Sequence, residues 1–289
     1  MSVSQTVRAT DWLGACRRAA QAIRARLDAP QTRSQRLAET GTIGGGGDRT
    51  LVLDADAEEI VFGELERLHA EGRAFVAVSE ERGEVAFGAD PAAPHVRVVI
   101  DPIDGSLNAK RGLPHHALSI AVADGPTMAD VAFGYVYDFG PGEEWSAWRG
   151  EGAFLNGERL REQPVERRGA DGRLEMLAVE SADPRHLDRA GDMADIARRL
   201  RVLGAIAVSL CQVAAGRVDA MASLWRCRAV DAAAAQLIVR EAGGLVAFPA
   251  FDDPLGAPLD LEPHSPVIAA LSEEALAQLA VVPVPLASP

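Results

Sequence analysis

Val96-Arg97-Val98-Val99-Ile100 runs directly into Asp101-Pro102-Ile103-Asp104-Gly105-Ser106. An apolar run rich in β-branched residues and ending at an acid predicts a buried strand whose C-terminal tip delivers Asp101, with Pro102 stopping the strand. Gly105-Ser106 suits a tight turn that opens a helix. Backbone N–H groups at such a start attract a phosphate, and Asp101 and Asp104 beside it are suited to divalent cations. Cations next to a phosphate point to phosphoryl chemistry.

Outward from this stretch the chain alternates strands and helices. Upstream, Trp12 to Asp28 places Leu13, Cys16, Ala20, Ile23 and Leu27 at helical spacing. Gly44 to Gly47 with Asp48 read alone as a flexible loop, and they lack the Lys-Ser/Thr of a Walker phosphate loop. Leu51 to Leu53 is expected as a strand ending at Asp54, which caps a helix running through Ala57, Ile60, Val61, Leu65 and Leu68. Phe75 to Val78 is a short strand that ends at Ser79-Glu80-Glu81.

Downstream, Ala117 to Ala123 and Val131 to Tyr137 are expected strands, and Gly150 to Gly157 a turn-rich connection. Met176 to Val179 predicts a strand, Arg185 to Leu200 a helix, and Ala205 to Ala215 another. Asp231 starts a helix, rich in alanine from Ala232 to Ala242, that closes at Gly243-Gly244. Ser272 with Glu273 and Glu274 opens one more before a proline-rich tail. No fixed-period repeat or low-complexity linker divides the chain. The pattern is that of a layered α/β fold.

The chain has 289 residues, 48% hydrophobic and 25% charged, enough for one large or two modest domains with a sizeable core. A formal net charge of −13 argues against a nucleic-acid backbone or an anionic membrane as partner, because both need clustered Lys and Arg. An anionic substrate would then need bound cations. Cys16, Cys211 and Cys227 are odd in number and lack metal-ligand spacing, so they are expected as reduced thiols. With no secretory leader and no long apolar span, the expected location is the cytoplasm.

Glu80, Asp101, Asp104 and Asp231 come from three separate segments, each behind an apolar run and ahead of a turn or helix. Open α/β sheets bind ligands at the carboxyl ends of their strands, where such acids can converge. Carboxylates suit Mg²⁺ or Mn²⁺, and these ions take one or two acids plus substrate phosphate. Other candidates read as structural. His115-His116, taken as adjacent strand residues, point to opposite faces. Cys211 lies in the buried run Ile206 to Ala214, and Trp225 packs near Arg226 and Arg228.

Five ordered pieces resemble the inositol monophosphatase-like phosphatases, a family that includes fructose bisphosphatases and bisphosphate nucleotidases. They are Gly47-Asp48-Arg49-Thr50 through Asp54 and Glu58, Ser79-Glu80-Glu81, Asp101 to Ser106 with Asn108, Gly150-Glu151-Gly152-Ala153-Phe154-Leu155-Asn156-Gly157, and Val230-Asp231-Ala232-Ala233. The spelling looks most like archaeal-type members, some of which hydrolyse both inositol phosphate and fructose 1,6-bisphosphate.

The resemblance implies an αβαβα sandwich, one unit over 1–289 with halves near 1–165 and 166–289. It implies that Glu80, Asp101, the Ile103 carbonyl, Asp104 and Asp231 coordinate up to three Mg²⁺ ions, that Asp54 and Ser106 activate water, and that Gly105 and Ser106 amides hold phosphate. Glu80 is counted with the catalytic residues as well. It also implies a homodimer acting on a small phosphorylated polyol or sugar.

The chain departs from the family pattern where specificity is set. The acid usually found several residues before the last metal aspartate is missing from Ala220 to Val230, which offers Ser223, Trp225, Arg226 and Arg228 instead. The arginines suit a second phosphate, because the guanidinium fork matches phosphate oxygens. The readings that follow are an inositol-phosphate phosphatase, a fructose-1,6-bisphosphatase or dual enzyme, a 3′-phosphoadenosine 5′-phosphate nucleotidase, and a noncatalytic phosphate-binding member.

Overall fold

The computed structural model describes residues 2–30, 32, 37–45, 49–93 and 95–284. In chain order the elements begin with α1 (Val3–Arg8), α2 (Trp12–Asp28), β1 (Glu39–Ile43), β2 (Arg49–Leu51) and α3 (Val52–Ala70). There follow β3 (Phe75–Ser79), β4 (Gly83–Phe87), β5 (Arg97–Asp104), α4 (Ser106–Arg111), β6 (Ala117–Ala123), β7 (Val131–Asp138), β8 (Glu143–Trp148), β9 (Gly152–Leu155) and β10 (Glu158–Arg159). The second half contains β11 (Leu177–Glu180), α5 (Pro184–Leu187), β12 (Leu200–Arg201), α6 (Ile206–Ala214), β13 (Ala220–Ser223), α7 (Ala229–Glu241), β14 (Leu245–Ala247), β15 (Ile268–Ala270) and α8 (Glu273–Leu279).

Among the described residues the main sheet runs β10-β9-β8-β7-β6-β5-β3-β4 and the second runs β12-β11-β13-β15-β14. One face of the main sheet is covered by α2 and α3, whose apolar stripes pack with Phe75, Val98, Ile100 and Phe133 in one core. Its other face receives α6 and α7, which also touch the second sheet, so their core lies between the sheets. The last helix, α8, packs on β13, β14 and β15. The order of layers is helix, sheet, helix, sheet, helix, the αβαβα sandwich expected.

The helix α7 is buried on every side from Ala229 to Val239, as a helix between two sheets must be. Its alanines let it approach β7 closely: a Cβ placed on Gly134 would lie 2.5 Å from the Ala234 carbonyl oxygen.

Several expectations are corrected. Pro102 does not end its strand; β5 continues to Asp104 through a register shift between Asp101 and Asp104. Asp101 faces Ser119 and Asp104 faces Ala117, so three steps on β5 match two on β6. A bulge of this kind is one of the few places in a sheet that tolerate proline. The expected strand Leu51 to Leu53 is displaced: β2 ends at Leu51, the helix N-cap, and Asp54 sits in the first turn of α3 instead of capping it. Asp231 likewise lies in the first turn of α7, which starts at Ala229.

The expected helix from Arg185 to Leu200 is replaced by the four-residue α5, turns and the edge strand β12. Gly150 to Gly157 contains the strand β9 as well as turns. The two histidines precede β6 instead of lying on it, with His115 at φ 65°. His115 Nδ1 is 3.6 Å from the buried Asp138 carboxylate, and His116 stacks on Phe139. The three cysteines are buried and free. No helix among the described residues is long and apolar enough to cross a membrane.

Candidate active site

The sharp turn after β5 shapes the site. Gly105 has φ 85°, a left-handed conformation that favours glycine. A Cβ there would lie 2.9 Å from the His115 carbonyl oxygen and 3.0 Å from that of Gly204. The chain therefore turns at Gly105 without obstruction and starts α4 at Ser106. A cavity of about 450 Å³ opens at this point, lined by Asp54, Glu80, Glu81, Asp101, Ile103, Asp104, Gly105, Ser106, Arg228 and Asp231 among others. Residues as far apart in the sequence as Asp54 and Asp231 thus face one space.

Separate elements aim the acids. In α3, Asp54 and Glu58 are one turn apart. Glu58 receives hydrogen bonds from the Ser79 hydroxyl (2.5 Å) and the Arg82 backbone N–H (3.1 Å), fixing the turn that carries Glu80. Asp101 accepts from the Ile103 N–H at 3.0 Å, a bond within the bulge. Asp104 accepts from the Ile206 and Ala207 N–H groups at 3.3 and 2.6 Å, so the start of α6 holds it from the other half. Asp231 accepts from the Arg228 backbone N–H at 2.9 Å. The Arg228 guanidinium lies 2.8 Å from Glu80 Oε1 and 3.6 Å from Asp231 Oδ1.

The electrostatics follow from burial of like charges. Glu80 is pushed up to about 7, first by desolvation and then by Asp231, Glu81 and Asp54, with Arg228 opposing. Desolvation and neighbouring acids hold Asp101 and Asp104 well above the usual carboxylate range. Burial also raises Asp54 to about 7, with Glu81 adding to the rise and the Ser106 hydroxyl and Leu51 backbone opposing it. Asp54 Oδ1 is buried without a hydrogen-bond partner, and the Ser106 hydroxyl donates to the Ile103 carbonyl at 2.9 Å.

This donor set fits a hard divalent cation: several carboxylates line one cavity and repel one another without added positive charge. Among the described residues no three His, Cys, Asp or Glu side chains are drawn together as a preformed cage. The Arg228 guanidinium stands against Glu80 and Asp231 instead.

Of the residues singled out in the sequence, Arg226 does not line this cavity. Its guanidinium lies 5.9 Å from the Trp225 ring centroid, and Trp225 stacks on His186. The cavity is lined additionally by Glu39, Leu51, Leu107 and Lys110. The α4 period would have found Lys110, four residues after Ser106 and so on its side of the helix; Glu39 carries no such signal. Of the glycine segment, Gly46, Gly47 and Asp48 are outside the described residues. Gly45 donates its N–H to the Glu81 carbonyl at 2.9 Å, and a Cβ on it would lie 2.8 Å from the Gly83 nitrogen.

Acids from several elements gathered around one cavity of a five-layer sandwich suit metal-assisted hydrolysis, and comparison places the chain in a phosphatase family. The profile of the inositol monophosphatase family matches residues 5–282, so the chain belongs to that family of metal-dependent hydrolases acting on phosphoric monoesters. It is 33% identical over 243 residues to a fructose-1,6-bisphosphatase/inositol-1-monophosphatase of Methanothermobacter thermautotrophicus, covering 81% of this chain and 83% of that one. It is 35% identical over 207 residues to the Nus factor SuhB of Escherichia coli, covering 70% and 72%. A crystal structure of an inositol monophosphatase-fructose 1,6 bisphosphatase superposes with a TM-score of 0.76 at 27% identity, covering 93% of this chain and 98% of that one.

Proposed function

We propose that this chain is a Mg²⁺-dependent phosphomonoesterase acting on a small polyol or sugar phosphate, with inositol monophosphate the first candidate. The observation that carries the reading is the meeting of Glu80, Asp101, Ile103, Asp104 and Asp231 with the Asp54–Ser106 pair around one cavity. When bound by those five residues, Mg²⁺ or Mn²⁺ supplies the positive charge that lowers the pKa of water and neutralises the substrate phosphate.

The chain's own groups do the rest. Asp54, with one carboxylate oxygen buried and unpartnered, takes the proton of the attacking water, directly or through the Ser106 hydroxyl. In the metal-free protein burial holds Asp54 well above the ordinary carboxylate value, which favours taking up a proton. The Gly105 and Ser106 amides hold phosphate oxygens as charge redistributes in a largely dissociative transition state. No covalent phosphoenzyme is required.

Arg228 favours a second reading, fructose 1,6-bisphosphatase or dual activity, because it is the arginine that reaches the cavity and its fork suits a second phosphate. A cytoplasmic homodimer with a small phosphorylated partner, and neither nucleic acid nor membrane, completes the proposal. Phosphate release from inositol 1-phosphate and fructose 1,6-bisphosphate, measured side by side with and without EDTA, tests it. Metal-dependent release that favours the first substrate supports the primary reading, and preference for the second moves the chain to the sugar bisphosphatases. No metal-dependent release from either overturns both.

A further inference from the structure

Asn108 and Glu180 lie outside the cavity lining, yet both meet the same turn. Asn108, in α4, donates its side-chain amide to two carbonyls, His115 at 2.8 Å and Leu203 at 2.7 Å. Both amide hydrogens are thereby used. Glu180, at the end of β11 and 2% exposed, accepts from the Leu203 N–H (3.0 Å), the Gly204 N–H (3.0 Å) and the Ser209 hydroxyl (2.5 Å). The residue Leu203 is thus held at its nitrogen from the second sheet and at its carbonyl from α4.

Asn108 approaches the turn closely. Gly204 has φ 81°, and a Cβ on it would lie 2.9 Å from the Asn108 amide nitrogen. Two and three residues further on, Ile206 and Ala207 donate to Asp104, which is bonded covalently to Gly105. A closed circuit results: Asp104, the start of α6, the Leu203–Gly204 turn, Asn108, α4 and Gly105. Burying a carboxylate is costly, and an apolar residue of similar volume often serves stability as well. A buried acid with two of its three donors at this one turn points to a role in geometry.

We infer that Asn108 and Glu180 are positioning residues, which clamp the Leu203–Gly204 turn of the second half against the Gly105–Ser106 segment and so fix where Asp104 and the phosphate-holding amides stand. The inference rests on the phosphatase reading above. Neither residue touches the reacting atoms; each acts through the turn.

The test uses the full chain with Asn108→Ser, which removes both donors, and Glu180→Gln, which keeps the shape but turns one acceptor into a donor facing an N–H group. Inorganic phosphate is titrated calorimetrically in the presence of Mg²⁺, and kcat is measured at a temperature where circular dichroism shows the variants folded. Expected in each is a phosphate Kd about tenfold weaker and a kcat about tenfold lower, the usual range for partners that orient a site. A lower melting temperature with phosphate Kd and kcat both within about twofold of wild type overturns the inference, since a merely structural role changes the folded fraction alone. If Asn108→Ser does not fold, Glu180→Gln decides by the same criterion. Wild-type protein that binds no phosphate overturns the functional reading and this inference with it; wild-type binding with unaffected variants overturns the inference alone.

Discussion

Two groups of buried acids occupy this molecule, and they differ in what surrounds them. Asp219, 0% exposed beside β13, accepts from the Arg167 N–H and Nε and from the Met176 N–H, so the protein replaces the water it has lost. Glu180 is treated alike, by two backbone amides and a hydroxyl. In the main-sheet half, burial raises Glu80, Asp101 and Asp104, the Asp231 carboxylate adds to the rise of all three, and Asp54 leaves an oxygen unpartnered. Burial alone therefore does not mark a site. Donors of its own do not settle the matter either, since Asp104 accepts from two backbone amides; what sets the site acids apart is that they crowd one another around one cavity, which leaves a demand for positive charge.

The contrast is broken most directly at Asp104. Asp104→Asn is expected to lower turnover by about a thousandfold or more by removing charge from the cation-binding set, with circular dichroism unchanged; near-normal turnover would remove Asp104 from that set. The mirror experiment is Asp219→Asn, expected to cost about 2 kcal/mol of stability through lost acceptor capacity while turnover per folded molecule stays at the wild-type level. Chemical denaturation and titrated activity check the two halves of that statement.

Arg228→Ala is expected to lower kcat/KM for a bisphosphate about tenfold more than for a monophosphate, if the guanidinium reads the second phosphate. Equal losses would reassign Arg228 to neutralising Glu80 and Asp231. A pH series sharpens the comparison further. Asp54 and Glu80 hold protons in the folded state up to about 7, against ordinary values of 3.8 and 4.5. The folded state then binds more protons than the unfolded one between about pH 4 and 7, so stability of metal-free protein falls as pH rises through that window. Saturating Mg²⁺ should flatten the slope, which melting curves in EDTA and in Mg²⁺ will reveal. The smallest effect is expected for Arg226→Ala, within about twofold on either substrate, because its guanidinium stacks near Trp225 away from the cavity.

The fold was legible where pattern and tertiary contact agree. The apolar β5 run, the Gly105-Ser106 turn and the α7 alanines carry their own instructions, and the acids were picked out by their places behind apolar runs and ahead of turns. The expected helix from Arg185 to Leu200 failed for a reason outside its own sequence. Leu177 and Leu174 exchange backbone hydrogen bonds with Ile196, Arg198 and Arg199, drawing that segment out beside β11. Gly191 also lies against the chain at Val281, where a Cβ would come within 2.1 Å of a carbonyl oxygen. The bulge that keeps Pro102 inside β5 was equally illegible, because it depends on the register of β6. The anchoring roles of Glu180 and Asp219 left no local trace, since a buried acid that holds a turn is spelled like one that faces a cavity.

The hydrogen bond from Ala207 to Asp104 spans 103 residues of chain, and it has a consequence for the order of assembly. During synthesis Asp104 leaves the ribosome about 5 to 20 seconds before Ala207 at typical elongation rates. Throughout that interval its carboxylate has only water to satisfy it. The first sheet can pair its strands meanwhile, but the cation-binding corner waits for a contact of high sequence separation, the kind that closes late. Nascent chains shorter than about residue 207 carry Asp54, Glu80, Asp101 and Asp104 without the α6 amides that hold Asp104 and without Asp231.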